Sequence, residues 1–303
     1  MSVKDKLIAE GAARAVAWFT TSEPQNIPQP LVEFMKKTPV ASVIKDRYQA
    51  EAFTFKSFDG LNLHGTVFHS KKGCNWDGKN HVVLLVHGFQ VQQAIMWFEL
   101  PFFLPHGYDC VTIDLRASGL SDKAKCSMGY FEAKDVAEAC KWIREKYGDD
   151  VVLGLKGQSM GSATIMQYSS EDPNLGFMIE DCGYDSMAGL VRELRDRVLK
   201  FVPWDEFYPK VLKYAEVSGV TYEDVRPIDS VAKLDPDIPV MFLHSLPDAY
   251  IVCENADRLY EAKQGKKEIH KYTLAPHSGS YFFHPIQYYK DIADFLKKYD
   301  LTK

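Results

Sequence analysis

No run of apolar residues in this chain approaches the roughly 18 that a helix needs to cross a bilayer, so no transmembrane helix is expected. Cysteine is scarce and scattered. The six residues Cys74, Cys110, Cys126, Cys140, Cys182 and Cys253 include no C-x-x-C pair and have no histidine at ligand spacing. A zinc site or a disulfide framework is therefore not expected. Cys110, Cys140 and Cys182 lie in apolar segments and read as buried reduced thiols, which suits a reducing, cytoplasmic location. Charge of one sign is lacking too: a net charge of −5 and a pI near 6.0 give no general affinity for nucleic acid or anionic membrane. Internal repeats and low-complexity stretches are also missing. What is there, 303 residues with 46% hydrophobic and 25% charged, is the composition of a globular protein. It is long enough for one α/β domain, or for one domain with an insertion.

Near the N-terminus, Lys4 and Lys6 precede an apolar stretch, but Glu10 and Arg14 interrupt it, so no secretory signal is expected. Ile8, Ala12, Ala15, Val16 and Phe19 recur at helical spacing and predict an amphipathic helix packed on the domain. Membrane contact through Trp18 and Phe19 is the lesser reading, because Lys and Arg are sparse on the polar face. Thr20–Pro30 holds three prolines and reads as a linker. Ala50–Lys56 and Leu61–His69 form two extended runs joined through Asp59-Gly60, a hairpin signal. The continuous apolar run His81–Val86 predicts a strand buried on both faces. Then follow a helix near Gln93–Leu104, a strand over Tyr108–Asp114, a helix over Phe131–Tyr147 and a strand from Val151. Further strands are expected at Phe177–Asp181, Pro239–His244 and Ile269–Leu274, with helices at Glu254–Ala262 and Ile286–Lys298. Strands alternating with helices at this spacing predict an α/β fold, a parallel sheet covered on both faces.

The segment Gly157-Gln158-Ser159-Met160-Gly161 stands between the apolar run Val151–Leu155 and a helix predicted from Ser162. Strand, G-x-S-x-G, helix is the context of a nucleophile elbow, in which the serine is forced into a strained turn above the sheet. Gly157 and Gly161 are required because a β-carbon there would strike a neighbouring strand or helix. A serine needs a base and an orienting acid. The strand over Val240–Leu243 leads to Asp248 in the loop at its carboxyl edge, and Tyr272-Thr273-Leu274 leads to His277 at the same edge, where open α/β sheets place their sites. The chain order Ser159, Asp248, His277 is that of one lineage of serine hydrolases.

With these residues in view, the chain resembles a serine-dependent α/β-hydrolase, of the bacterial esterase type with a short helical cap. Val86-His87-Gly88-Phe89 is similar to the family's oxyanion turn. Asp114-Leu115-Arg116-Ala117-Ser118-Gly119-Leu120-Ser121 resembles its D-x-R-G-x-G-x-S loop, with Ala117 in place of a glycine. His277-Ser278 is similar to its G-H-S, with Pro276 in place of the glycine. The resemblance spans roughly residues 50–300. It implies an α/β-hydrolase fold with a mostly parallel sheet, backbone oxyanion donors at Phe89 and Met160, a structural role for His87 and Gly88, and no metal or organic cofactor. The Ala117 change is expected to reshape one wall of the pocket.

Rival readings remain open. Asp181 ends its own strand and competes with Asp248 for the acid. Asp235 and Asp237 precede their strand and fall at the wrong edge. His284 competes with His277, while His244 reads as sheet-edge packing and Arg116 as a tether for its own loop. More than fifty residues separate Asp181 from Pro239, too many for a simple crossover. Helices are expected over Ser186–Phe201, with Leu190, Val191, Leu194, Val198 and Leu199 on one face, and over Glu206–Ala215. The expected organisation is an N-terminal helical extension (1–45), a hydrolase core (46–185 and 231–303) and a cap (186–230). The expected activity is cytoplasmic hydrolysis of small to medium apolar carboxylic esters, with a small-molecule ester as partner, no nucleic acid and no stable membrane insertion. A serine peptidase or thioesterase, and a non-catalytic ligand-binding protein, are the alternatives.

Overall fold

Strand and helix alternate along the chain as their periodicities predict. The computed structural model describes residues 3–21, 48 and 50–303, so most of the proline-rich linker reading, and the boundary near residue 45, lie outside the described residues. Helix α1 (Val3–Thr21) is followed by the antiparallel pair β1 (Ala50–Lys56) and β2 (Asn62–Phe68), then β3 (His81–Val86) and β4 (Asp109–Asp114). Next come α2 (Tyr130–Tyr147), β5 (Val152–Gln158), α3 (Met160–Ser169) and β6 (Leu175–Asp181). Helices α4 (Met187–Val198), α5 (Trp204–Ala215) and α6 (Pro227–Lys233) separate β6 from β7 (Val240–Ser245). The chain closes with α7 (Glu254–Ala262), β8 (Lys267–Tyr272), the short α8 (Ser280–Phe283) and α9 (Pro285–Lys298).

The strands form one eight-stranded sheet in the order β1-β2-β4-β3-β5-β6-β7-β8. Only the β1–β2 and β2–β4 pairs are antiparallel; from β4 to β8 all neighbours are parallel. The reason is visible in β3. Its side chains divide by parity, and both halves are apolar. Val82, Leu84 and Val86 pack with Val136, Ala139 and Ile143 of α2 and Ala163 and Met166 of α3. Val83 and Leu85 pack on the opposite face with Tyr288, Ile292 and Phe295 of α9.

Three local details refine the sequence reading. The helix expected near Gln93–Leu104 is a 3₁₀ helix over Gln93–Phe102; Pro101 lies inside it, and the Gln93 N–H is taken by the Asp114 carboxylate (2.8 Å). In α1 the buried line is Ala9, Ala13 and Ala17, whereas Ala15 is exposed and Phe19 is half exposed. Those alanines carry no bulk, which lets α1 lie closely along α5, its main packing partner. Glu10 and Arg14 hydrogen-bond the Tyr214 hydroxyl of α5 beside this seam. In α4, Val191 is buried, but Leu194 and Val198 face solvent. No helix among the described residues is long and apolar enough to cross a membrane.

Candidate active site

Strand β5 runs into Ser159, whose backbone sits at φ 55, ψ −121. A non-glycine residue rarely adopts such a conformation, and the surroundings must hold it there. They do so through β6. The Ser159 N–H donates to the Asp181 carbonyl (2.8 Å), while the Ser162 hydroxyl donates to that carbonyl (3.0 Å) and accepts the Asp181 N–H (2.8 Å). The flanking glycines are sterically required. A β-carbon on Gly157 would overlap the backbone of Gly161 and Ser162, and one on Gly161 would overlap the Val86 and His87 carbonyl oxygens.

At the carboxyl edge of β8, His277 turns its Nε2 to within 2.8 Å of Ser159 Oγ. Its Nδ1 lies 2.5 Å from Asp248 Oδ2, in the loop after β7. The other carboxylate oxygen, Oδ1, accepts the N–H groups of Tyr250 (2.8 Å) and Ile251 (2.9 Å). The Asp248 side chain is fully buried, and that of His277 keeps 17% exposure. Burial alone would raise the Asp248 carboxyl, but hydrogen bonds from His244 and His277 outweigh it and hold the group well below the usual carboxylate range. Asp248 is thus an anion facing the imidazole, and the imidazole can accept a proton from the serine.

Comparison with known proteins bears on the scaffold. The sequence model of the alpha/beta hydrolase fold matches residues 81–204. This chain has the α/β-hydrolase fold. It superposes on esterases of known structure. The Pyrococcus furiosus esterase Pf2001 aligns with a TM-score of 0.63 at 19% identity, covering 84% of this chain and 94% of that one. The esterase domain of a Rhodothermus marinus protein aligns with a TM-score of 0.59 at 18% identity, covering 82% and 99%. In sequence, the chain is 25% identical to the uncharacterized protein YqkD of Bacillus subtilis over 280 residues, 88% of this chain and 90% of the relative.

Within this α/β-hydrolase fold the rival residues fall elsewhere. The Asp181 carboxylate accepts the Tyr288 hydroxyl (2.7 Å) and lies 3.5 Å from Lys156 Nζ, in a buried cluster with Glu99 behind the elbow. His284 Nε2 meets the Thr273 carbonyl at the surface (2.5 Å). His87 donates from Nδ1 to its neighbour's carbonyl, that of Gly88 (2.7 Å), and accepts the Leu115 N–H at Nε2 (3.1 Å). Burial lowers its pKa, so it is a neutral brace for the turn that carries Phe89. Met160 opens α3, so its N–H belongs to the first turn, where amides lack an intrahelical acceptor. Arg116 does more than tether its own loop: it makes two 2.7 Å hydrogen bonds to Asp135 of α2 and reaches Asp59 of the β1–β2 turn (3.1 Å). Ala117 keeps the left-handed backbone, φ 61, that a glycine would favour.

Four contacts were not foreseen. His244, fully buried at the end of β7, donates from Nε2 to the Ile251 carbonyl (2.9 Å), with the Asp248 carboxylate at 3.5 Å. Tyr250 sets its ring 5.5 Å from that of His277. Arg197 of α4 holds the Ala249 and Tyr250 carbonyls. Phe19 of α1 stands edge-on to Phe89, 5.4 Å between centroids. His244 ends a strand and Asp248 follows in a turn, so their meeting, like the other contacts, leaves no periodic trace in the sequence. Cys182, Asp248 and His277 bring a thiol, a carboxylate and an imidazole within 4.8 Å of one another. Both imidazole nitrogens are already engaged, and burial pushes the thiol well up, so this trio is not arranged as a metal cage.

Proposed function

We propose that this protein is a serine hydrolase that cleaves carboxylic esters through a covalent acyl-enzyme. The observation that carries the reading is the continuous chain Ser159 Oγ, His277, Asp248, with links of 2.8 and 2.5 Å, at a left-handed turn between strand and helix. Ser159 is the nucleophile, His277 the base and then the acid, and Asp248 the group that fixes the imidazole tautomer. Ser159 Oγ bonds to the acyl carbon as its proton passes to His277 Nε2, and the carbonyl electron pair moves onto oxygen. Backbone N–H groups of Met160 and Phe89 hold that oxyanion. Collapse expels the alcohol oxygen, which takes the proton from His277. Water then attacks the acyl carbon with His277 as base again, releasing the carboxylic acid and restoring Ser159.

Support for small to medium apolar acyl groups comes from the surroundings. Phe89 and the buried Met160 border the serine, and the α4–α6 segment buries Phe207, Tyr208 and Val211 beside α1. The similarity to the Pyrococcus furiosus esterase and the Rhodothermus marinus esterase domain supports this reading.

The test is intact-mass spectrometry after fluorophosphonate treatment. One adduct on the wild type, none on Ser159→Ala and strongly slowed labelling of His277→Ala are expected. A p-nitrophenyl ester series then ranks acyl chains, short to medium ones leading. Folded wild type that takes no adduct overturns the proposal in favour of a ligand-binding role.

A further inference from the structure

Asp248 Oδ2, the oxygen that binds His277, is flanked by a second imidazole. His244 Nε2 lies 3.5 Å away and 2.9 Å from the Ile251 carbonyl. A carbonyl only accepts, so Nε2 carries a proton that is shared with the Asp248 side. The opposite nitrogen, Nδ1, is buried and has no partner among the described residues. On the neighbouring strand β6, Glu180 is also fully buried. Its Oε2 accepts the Gly183 N–H (2.8 Å), and its Oε1 has no partner among the described residues. The register sets Glu180 opposite Phe242, so Glu180 and His244 project from the same face of the sheet, two residues apart along β7. Two buried atoms without partners among the described residues, His244 Nδ1 and Glu180 Oε1, thus belong to side chains on one face of the sheet, and a buried carboxyl is costly unless an opposite charge lies near it.

We propose that His244, backed by Glu180, is a positioning residue that holds positive charge against the Asp248 carboxylate and thereby sets the pH at which His277 is free to act as base. The inference rests on the reading of Ser159, Asp248 and His277 as catalytic. Other charged or titratable groups that act on Glu180 are Asp181, Lys156, Cys182 and Cys253, and Cys182 also lies against Asp248 and His277. In support, burial raises the Glu180 carboxyl to about 7, with His244 opposing that rise. Burial would lower the His244 imidazole, but Asp248 and Glu180 together raise it. Glu180 thus favours the protonated form of His244. The charge of that form beside Asp248 offsets part of the field that favours protonated His277.

The experiment is the rate of fluorophosphonate labelling of Ser159 from pH 5 to 9, followed by intact mass, in wild type, His244→Asn and Glu180→Gln. His244→Asn keeps a donor for the Ile251 carbonyl and removes the charge. Glu180→Gln is nearly isosteric, removes the acid that favours protonated His244, and serves if the first variant folds poorly. Both are expected to move the acid limb to higher pH, by about half a unit or more for a charge one carboxylate away. The plateau rate should fall by less than about tenfold, since no reacting group is lost. An acid limb that stays at its wild-type position in both variants, whatever the plateau does, overturns the proposal and leaves His244 a merely structural residue. Wild type that takes no label overturns the serine reading itself, which is a different result.

Discussion

Ser159 and Ala117 show two uses of the same backbone region. Ser159 is held at φ 55 by its hydrogen bond to β6, which places the hydroxyl above the sheet. Ala117, at φ 61, gains nothing comparable from its side chain, a methyl group that is largely buried. Left-handed backbone costs an alanine roughly 1–2 kcal/mol, and glycine avoids that cost while losing some chain entropy. Ala117→Gly should therefore raise the urea midpoint by the equivalent of about 1 kcal/mol; a lower midpoint would show that the methyl packs usefully. The two aspartates are separable in the same way. Asp248→Asn should lower kcat by about 10³–10⁴, because the amide favours the wrong imidazole tautomer. Asp181→Asn should cost stability instead, since Asp181 meets Tyr288 and Lys156 and not the base. Comparable losses of kcat in both variants would contradict that division.

Among the elements, α1 and α5 form a seam whose chemistry is plain once both helices are in place. Ala9, Ala13 and Ala17 are buried along it, and Tyr214 closes its edge on Glu10 and Arg14. Ala13→Leu should overpack this seam at a cost of about 1–3 kcal/mol. The expected readout is faster hydrogen exchange in α1 with little change in the central strands. If the exchange of α1 is unaltered, the alanines are not what sets the approach. At its far end α1 delivers Phe19 to Phe89, so the same seam borders the proposed oxyanion turn. The sequence showed an amphipathic helix here, and Ala12, Val16 and Phe19 of its expected face do make contacts, but the most buried line, Ala9, Ala13 and Ala17, runs beside it.

On the scale of the whole molecule, buried carboxyls tie stability to pH. Glu99 lies behind the elbow with Lys156, and burial pushes its carboxyl up to about 7 from an ordinary 4.5 despite the lysine. Its folded-state pKa is the higher one, so its contribution is fully present below about 4.5, is lost as pH rises to about 7, and is constant above. The buried His87 acts in the opposite sense, since burial lowers its pKa and its contribution is lost on the acid side of 6.5. A difference between variants isolates the first effect. Glu99→Gln should gain stability relative to wild type between pH 5 and pH 8, by on the order of 3 kcal/mol, in urea titrations at each pH. A constant difference across that range would refute it.

Much of this architecture was legible in the sequence because it rests on local signals. The parity of β3, apolar at both even and odd positions, already required a sheet covered on both faces. Gly157 and Gly161 around Ser159 required a turn too tight for a β-carbon, and Asp248 and His277 each follow an apolar strand. Other features depend on residues far apart in the chain that meet only on folding. Whether Asp181 or Asp248 faces His277 turns on which loop curls over the sheet edge, and both positions carry the same local signal. The Arg116 bond to Asp135 and the contact of Phe19 with Phe89 are such cases, and even His244, four residues before Asp248, meets that carboxylate only through the turn after β7. A sequence determines which segments must bury their faces; only the packed molecule decides which polar atoms those faces bring together, because hydrogen bonds need angstrom placement and hydrophobic burial does not.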